Sequence, residues 1–303
     1  MSRTVEEIGA KMDALGLWKA VAPYNWAVKP RGTAFPYFCT VVLGEKGTPL
    51  KARFLMLEGW QTMHDYVRTR ENGNYGYYSS PVEMPHLEMI FASDGQCKLF
   101  RYDTGFQPQE ADARWRDLAE KLLWESFGVM MRIENDRQLP LKFSDERAVF
   151  ARVESANGEW ADAPLPIPDC PQIGEKVSFP QADLKAAQAL LPVVQGEAVS
   201  VDFRLLDNVV TSEPRPRSIY ELVAVDSATG ERLLELRVPI PVGCSLRDMW
   251  VGMPAQVLKA LVRRGRVPGE IRLVSLRVFR LMRPLCEELP FKLSLHDELP
   301  ELK

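Results

Sequence analysis

The sequence is poor in the residues that most directly announce chemistry. Only three histidines, His64, His86 and His296, are spread over 303 residues, too few for a histidine-rich metal centre. The five cysteines, Cys39, Cys97, Cys170, Cys244 and Cys286, are odd in number, widely spaced and never arranged C-x-x-C. That excludes a zinc ribbon or a disulfide framework and predicts buried free thiols. No Gly-x-Ser-x-Gly, P-loop or dinucleotide fingerprint occurs, so phosphate-cradling chemistry is not indicated. No stretch reaches the roughly 20 apolar residues of a membrane span, and the opening MSRTVEEIGAKMDALG has acidic residues where a signal peptide would be apolar. A cytoplasmic protein is expected, without membrane, metal or cofactor. Excess charge is lacking too: a net charge of -3 excludes a surface basic all over, but leaves room for a local basic face.

What is present is an ordinary globular composition, 46% hydrophobic and 26% charged, on a chain long enough for two domains. Thr4-Val5-Glu6-Glu7 has the form of a capping box, and Ile8, Met12 and Leu15 follow at helical spacing up to Gly16. YFCTVVLG from Tyr37 and ARFLML from Ala52 flank a turn at residues 45–49 and predict a hairpin. A helix over 59–70 and a surface loop over 71–81, with Tyr75, Tyr77 and Tyr78, come next. LEMIFA and CKLFRY flank Ser93-Asp94-Gly95, a second hairpin. A long helix is expected over 109–133, then a third hairpin around Asn157-Gly158. Pro164, Pro166, Pro168 and Pro171 deny both ladder bonds and helix interior, and predict a linker. The domains are therefore placed at 1–170, an α+β domain with an antiparallel sheet, and 171–303.

The second half reads as a helix over 182–191 and the strand AVSVDFRLL, then the hairpin IYELVAVD and RLLELRVPI around residues 227–230. Helix, strand, helix and strand follow over 248–264, 270–274, 276–289 and 291–295. A hairpin followed by α-β-α-β makes a mixed α/β sheet and fits a ribonuclease-H-like topology.

The candidates for chemistry are few. His86 and Glu88 stand two apart on one strand, share a face and could act as a ligand pair, although a surface pair is the ordinary expectation. Asp226 ends a strand before a turn, where it could be a metal-binding carboxylate or simply open the Asp-Ser-x-x-Gly turn. His296-Asp297 and His64-Asp65 are His-Asp dipeptides without the further histidines a metal site of that kind needs. Arg263, Arg264, Arg266, Arg272, Arg277 and Arg280, with Lys259 and Arg283, crowd one segment where Glu270 alone opposes them, a footprint for an anion or nucleic acid. A solvated helix face is the alternative.

Two resemblances add to this reading. LWKAVAPYNW, FPYFCTVV and ARFLMLEGWQTMHDYV, with LFRYDTGFQP, VAVDSATGERLLEL and the run from GRVPGEIRLVS to LSLHDELPEL, resemble a bacterial family in which two domains of unknown function occur in tandem. That family brings no activity, so no catalytic residue is carried over from it. From Ile219 onward the chain also resembles the ribonuclease-H-like core of integrases, but Leu273-Val274-Ser275 stands where such a core would carry a metal-binding acid. A non-catalytic binding or interaction protein, with a protein or nucleic-acid partner, is the function expected. The alternatives are a hydrolase-like enzyme with its site between the domains, drawing on Asp226, His86, Glu88 and His296, and a nucleic-acid-associated protein using the arginines.

Overall fold

Thr4 begins the first helix in the way its sequence dictates. Its hydroxyl accepts from the Glu7 N–H at 3.2 Å, the Glu7 carboxylate accepts from the Thr4 N–H at 3.1 Å, and Gly16 ends the helix at φ +62°. The computed structural model describes residues 4–60, 62–64, 66, 84–145, 147–168, 176–206, 215–239 and 246–302. The tyrosines of the 71–81 loop, Asp65, Cys170 and Cys244 lie outside the described residues. The architecture is α+β, in two compact units: residues 84–104 and 108–171 belong with the N-terminal strands to the first, and residues 105–107 belong with 172–303 to the second.

The first unit contains α1 (Val5–Leu15), α2 (Trp18–Val21), β1 (Trp26–Lys29), β2 (Tyr37–Leu43), β3 (Leu50–Glu58), β4 (His86–Ala92), β5 (Cys97–Tyr102), β6 (Gln109–Glu110), α3 (Ala113–Asn135), β7 (Ala148–Glu154) and β8 (Trp160–Pro166). Its strands form one sheet in the order β6-β5-β4-β3-β2-β1-β7-β8. The sheet is mixed rather than antiparallel throughout, because β1 runs parallel to β7, with Ala27 opposite Ala151. α1, α2 and α3 cover one face, over a core that includes Trp18, Trp26, Phe54, Met56, Phe91 and Phe150. Trp26 ties the layers together: its indole N–H donates to Ser126 on α3 at 3.1 Å, and the Ser126 hydroxyl donates to Cys39 on β2 at 3.4 Å.

Two boundaries depart from the sequence reading for local reasons. α3 begins at Ala113 and not at Gln109, because Asp112 caps it by accepting from Trp115 N–H at 3.1 Å, while residues 109–110 pair with β5. Of the expected helix over 59–70, residues 59, 60, 62–64 and 66 are helical. Part of the proline stretch is strand: Pro164 and Pro166 belong to β8, paired opposite Phe150 and Ala148. β8 is the outermost strand, and an edge strand tolerates proline because half its N–H groups have no ladder partner to lose.

The second unit contains α4 (Gln181–Gln188), β9 (Val194–Leu205), β10 (Ile219–Asp226), β11 (Arg232–Pro239), α5 (Leu246–Arg264), β12 (Pro268–Leu273), α6 (Leu276–Glu288) and β13 (Lys292–Leu295), with a short 3-10 turn at Pro300–Leu302. The sheet order is β11-β10-β9-β12-β13. β10 is antiparallel to both neighbours, whereas β9, β12 and β13 run parallel. α4, α5 and α6 pack on the face that carries Val199, Val201, Phe203, Tyr220, Leu222 and Ile271. α6 continues through Pro284 as a single helix.

Candidate functional site

Two polar clusters and one apolar groove stand out, and each can be built from the alternation of its strands. The first cluster lies on β3, β4 and β5, on the sheet face opposite α1 to α3. Leu57 pairs with His86 and His86 with Tyr102, while Glu88 sits one step along on the same face, with Arg53 beside it. His86 and Glu88 have no exposed surface, so the expected surface pair is a buried one. The reason is the layer above: Trp60, Met63 and Tyr66 pack on this face with Phe38, Leu55 and Leu57.

Within the cluster, His86 Nδ1 is 2.7 Å from the Met84 carbonyl, which can only accept, so this nitrogen carries the proton. Nε2 faces Glu88 Oε2 at 3.8 Å, and among the described residues neither atom has a hydrogen-bond partner. The other Glu88 oxygen accepts from Arg53 Nε. Tyr102 stacks on the imidazole with ring centroids 4.3 Å apart. Burial works to raise the Glu88 pKa, but the polar His86 ring beside it and the hydrogen bond and charge of Arg53 outweigh it and hold the carboxyl at about 2. Burial and the nearby Glu88 charge push the Tyr102 phenol upward.

The second cluster covers the face of the second sheet away from α5 and α6, and the sequence reading missed its centre. Asp202 on β9 is 8% exposed, and burial raises its pKa, against a weaker opposing pull from Arg204 at 4.0 Å. Glu221 on β10 pairs with Arg204 at 3.0 Å and lies 3.7 Å from Arg237. The signal was present in VSVDFRLL, where two charges at alternate positions interrupt an apolar strand. Ser200, beside Arg272 in the ladder, donates to Glu301 and lies 2.9 Å from the Ser227 hydroxyl.

Of the four catalytic candidates, His86 and Glu88 come together in the first unit, and Asp226 and His296 fall in the second. Asp226 opens the turn after β10: one carboxylate oxygen accepts from the Ala228 and Thr229 N–H groups at 3.0 and 3.1 Å. The other pairs with Arg264. Burial opposes ionisation there, but the two N–H groups and the Arg264 charge hold the pKa below the usual carboxylate range. His296 Nε2 lies 2.9 Å from the Ser294 hydroxyl, two residues back in the chain. Among the described residues, no group of three or more His, Cys, Asp or Glu is placed to hold a metal ion.

The six arginines do not form one face. The Arg264 side chain is buried and shares Glu197 and Asp226 with Arg266, through contacts of 2.9 Å and 3.0 Å to Glu197. Those acids come from β9 and β10, which is why the local count of one opposing acid misled. Arg272 pairs with Glu270 at 2.9 Å. Arg277 is 3% exposed, with its guanidinium 3.6 Å from the centre of the Trp250 ring, a buried cation–π contact and not a ligand-facing group. Arg263 and Arg280 are exposed. Ser275, in the stretch where an acid was expected, serves the helix that follows: it caps α6 by accepting from Val278 N–H.

The groove lies between α5 and the outer half of the second sheet. It has a volume of about 230 Å³ and is lined by Phe203, Leu222, Leu236, Val238, Met249 and Met253, with Asp248 and Gln256 as its polar members. Small-molecule and cofactor sites usually enclose roughly 300–1,000 Å³, so this space suits one or two apolar side chains better than a cofactor. Among the described residues, no helix is long and apolar enough to cross a membrane. No protein-family model matches the chain, nor does any curated protein sequence or any solved structure.

Proposed function

We propose that this chain is a non-catalytic interaction protein whose second unit is a ribonuclease-H-like sheet with its acidic positions turned to structural use. The ribonuclease-H-like part is supported by the strand succession. Three antiparallel strands are followed by helix, strand, helix, strand, and the first strand, β9, lies at the centre beside the fourth, β12. In that reading the acid on the first strand is Asp202, and Asp226 ends the second.

The observation that carries the non-catalytic part is the use made of the carboxylates. A two-metal site needs oxygen ligands left open toward one point. Here Asp226 caps a turn and pairs with Arg264, Glu221 pairs with Arg204, Glu270 pairs with Arg272 and Glu301 accepts from Ser200. Each is held by a donor of the protein itself. The apolar groove, too small for most cofactors and fitted to side chains, supports a protein partner.

A cleavage assay on the full chain tests this, with single-stranded and duplex nucleic acids and an RNA–DNA hybrid in Mg²⁺ and in Mn²⁺. The expected result is no metal-dependent cleavage by the wild type and no saturable Mn²⁺ binding by calorimetry. Cleavage by the wild type that is lost in Asp226→Ala or Asp202→Asn would overturn the proposal.

A further inference from the structure

β11 is the outer strand of the second sheet: β10 occupies one of its edges, and no described strand occupies the other. Glu235, Leu236 and Arg237 are open to solvent, Leu236 to 37%. Such an edge offers a row of unpaired N–H and C=O groups to any strand that can lie alongside. The five residues Leu234-Glu235-Leu236-Arg237-Val238 complement themselves when read against their own reverse.

We propose that the β11 edge is a homodimer interface, at which a second copy of this chain adds its own β11 antiparallel about a two-fold axis through Leu236. In that register Glu235 stands opposite Arg237 of the second copy, and the symmetry makes this pair twice. Leu236 meets its own copy, and Leu234 meets Val238. These three stand opposite Ala224, Leu222 and Tyr220 within one protomer, so all point to the helix-covered face, where Leu236 and Val238 line the groove. The association therefore extends an apolar surface that one protomer leaves open at its rim.

The charges also select the register. Moving the axis by one residue sets Glu235 against Glu235 or Arg237 against Arg237, and like charges directly opposite are destabilising. Pro239 ends the strand and has no N–H to offer a longer pairing. Within the protomer Glu235 reaches Arg232, and Arg237, 61% exposed, is only loosely held at 3.7 Å from Glu221. Neither contact prevents its side chain from turning to a partner.

The proposal rests on the interaction reading only in taking the partner to be a protein, and the sedimentation series below can fail while the cleavage assay succeeds, or the reverse. Sedimentation equilibrium is run on the full wild-type chain, on Glu235→Arg, on Arg237→Glu and on the double variant, with circular dichroism to check the fold. The wild type is expected to show a concentration-dependent mass approaching the dimer. Each single variant should associate at least about tenfold more weakly, and the double variant should recover to within about threefold of the wild type. Recovery cannot come from within the protomer, since the double variant sets the new arginine beside Arg232 and the new glutamate beside Glu221. A wild type that stays monomeric to about 100 µM, single variants that associate normally, or a double variant as weak as the singles would each overturn it.

Discussion

Replacing Glu88 by Gln keeps the size of the side chain, removes its charge and turns one acceptor oxygen into an N–H donor, so the result reads chiefly the electrostatics of the buried cluster. Glu88 has no exposed surface, and Arg53, its partner, is 25% exposed. Removing one member of a buried ion pair typically costs 3–5 kcal/mol, because the other charge is left without compensation. Partial access of water to Arg53 argues for the lower end, ~3 kcal/mol. The lowered pKa, which reflects the same pairing, leads to a figure of the same order. A fall from the ordinary 4.5 to about 2, at about 1.4 kcal/mol per pH unit, also corresponds to ~3 kcal/mol.

The sign follows from linkage. Glu88 binds its proton less readily in the folded state, so its contribution is complete above pH 4.5. It declines as the pH falls from there to about 2, and is gone below. Urea unfolding followed by tryptophan fluorescence suits the measurement, since six of the seven tryptophans, Trp18, Trp26, Trp60, Trp115, Trp124 and Trp160, lie in the first unit. Glu88→Gln should lose ~3 kcal/mol at neutral pH, and its difference from the wild type should shrink steadily on acidification below pH 4.5. A loss under about 1 kcal/mol, the range of an exposed pair, or a difference that does not change with pH, would refute the reasoning.

Asp226→Asn should destabilise the second unit by ~1–3 kcal/mol, since it strips Arg264 of a charged partner in a buried setting, and calorimetric melting would record it. Ser126→Ala should cost about 1–2 kcal/mol in a urea titration, because the buried Trp26 indole N–H loses its acceptor. Gly44→Ala should lower the melting temperature of the first unit sharply, since an added methyl collides with the Leu50 backbone carbonyl, which has little room to move. Burial pushes the Cys39 thiol up to about 12, so native-state alkylation near pH 8, mapped by mass spectrometry, should leave Cys39 unmodified while Cys97 and Cys286, less buried but also raised by burial and nearby acids, react slowly.

The parts of the fold that could be read from the sequence are those decided within a few residues. The capping box at Thr4, the turn at Gly95 and the turn at Gly158, both glycines at φ +84°, need no information from elsewhere. β1 has four residues, and its place in the sheet comes from β2 and the distant β7, so nothing nearby marks it. The candidate residues divide along the same line. That Asp226 opens a turn is written in Asp-Ser-x-x-Gly, but its pairing with Arg264 is made 38 residues along the chain. The identity of His86 and Glu88 as same-face neighbours follows from period-two alternation, whereas their burial depends on Trp60 and Met63 closing over them. Arg277 looks like a member of a basic face because its contact with the Trp250 ring joins two helices, and spacing along one helix cannot show that.

The parallel pairing of β1 with β7 has a consequence for how the chain is made. Ala27 and Ala151 are register partners, so one edge of β1 stays open while 124 further residues are synthesised. At the usual 5–20 residues per second that is a wait of roughly 6–25 s. During it β2 to β5 can assemble as hairpins, each closing on its predecessor, but they leave the buried, apolar β1 as the exposed margin of a growing sheet. β7 and β8 close that margin last, so the nascent first unit is at its stickiest on the ribosome just before they emerge. A cell short of chaperone capacity should lose this protein by aggregation at that stage.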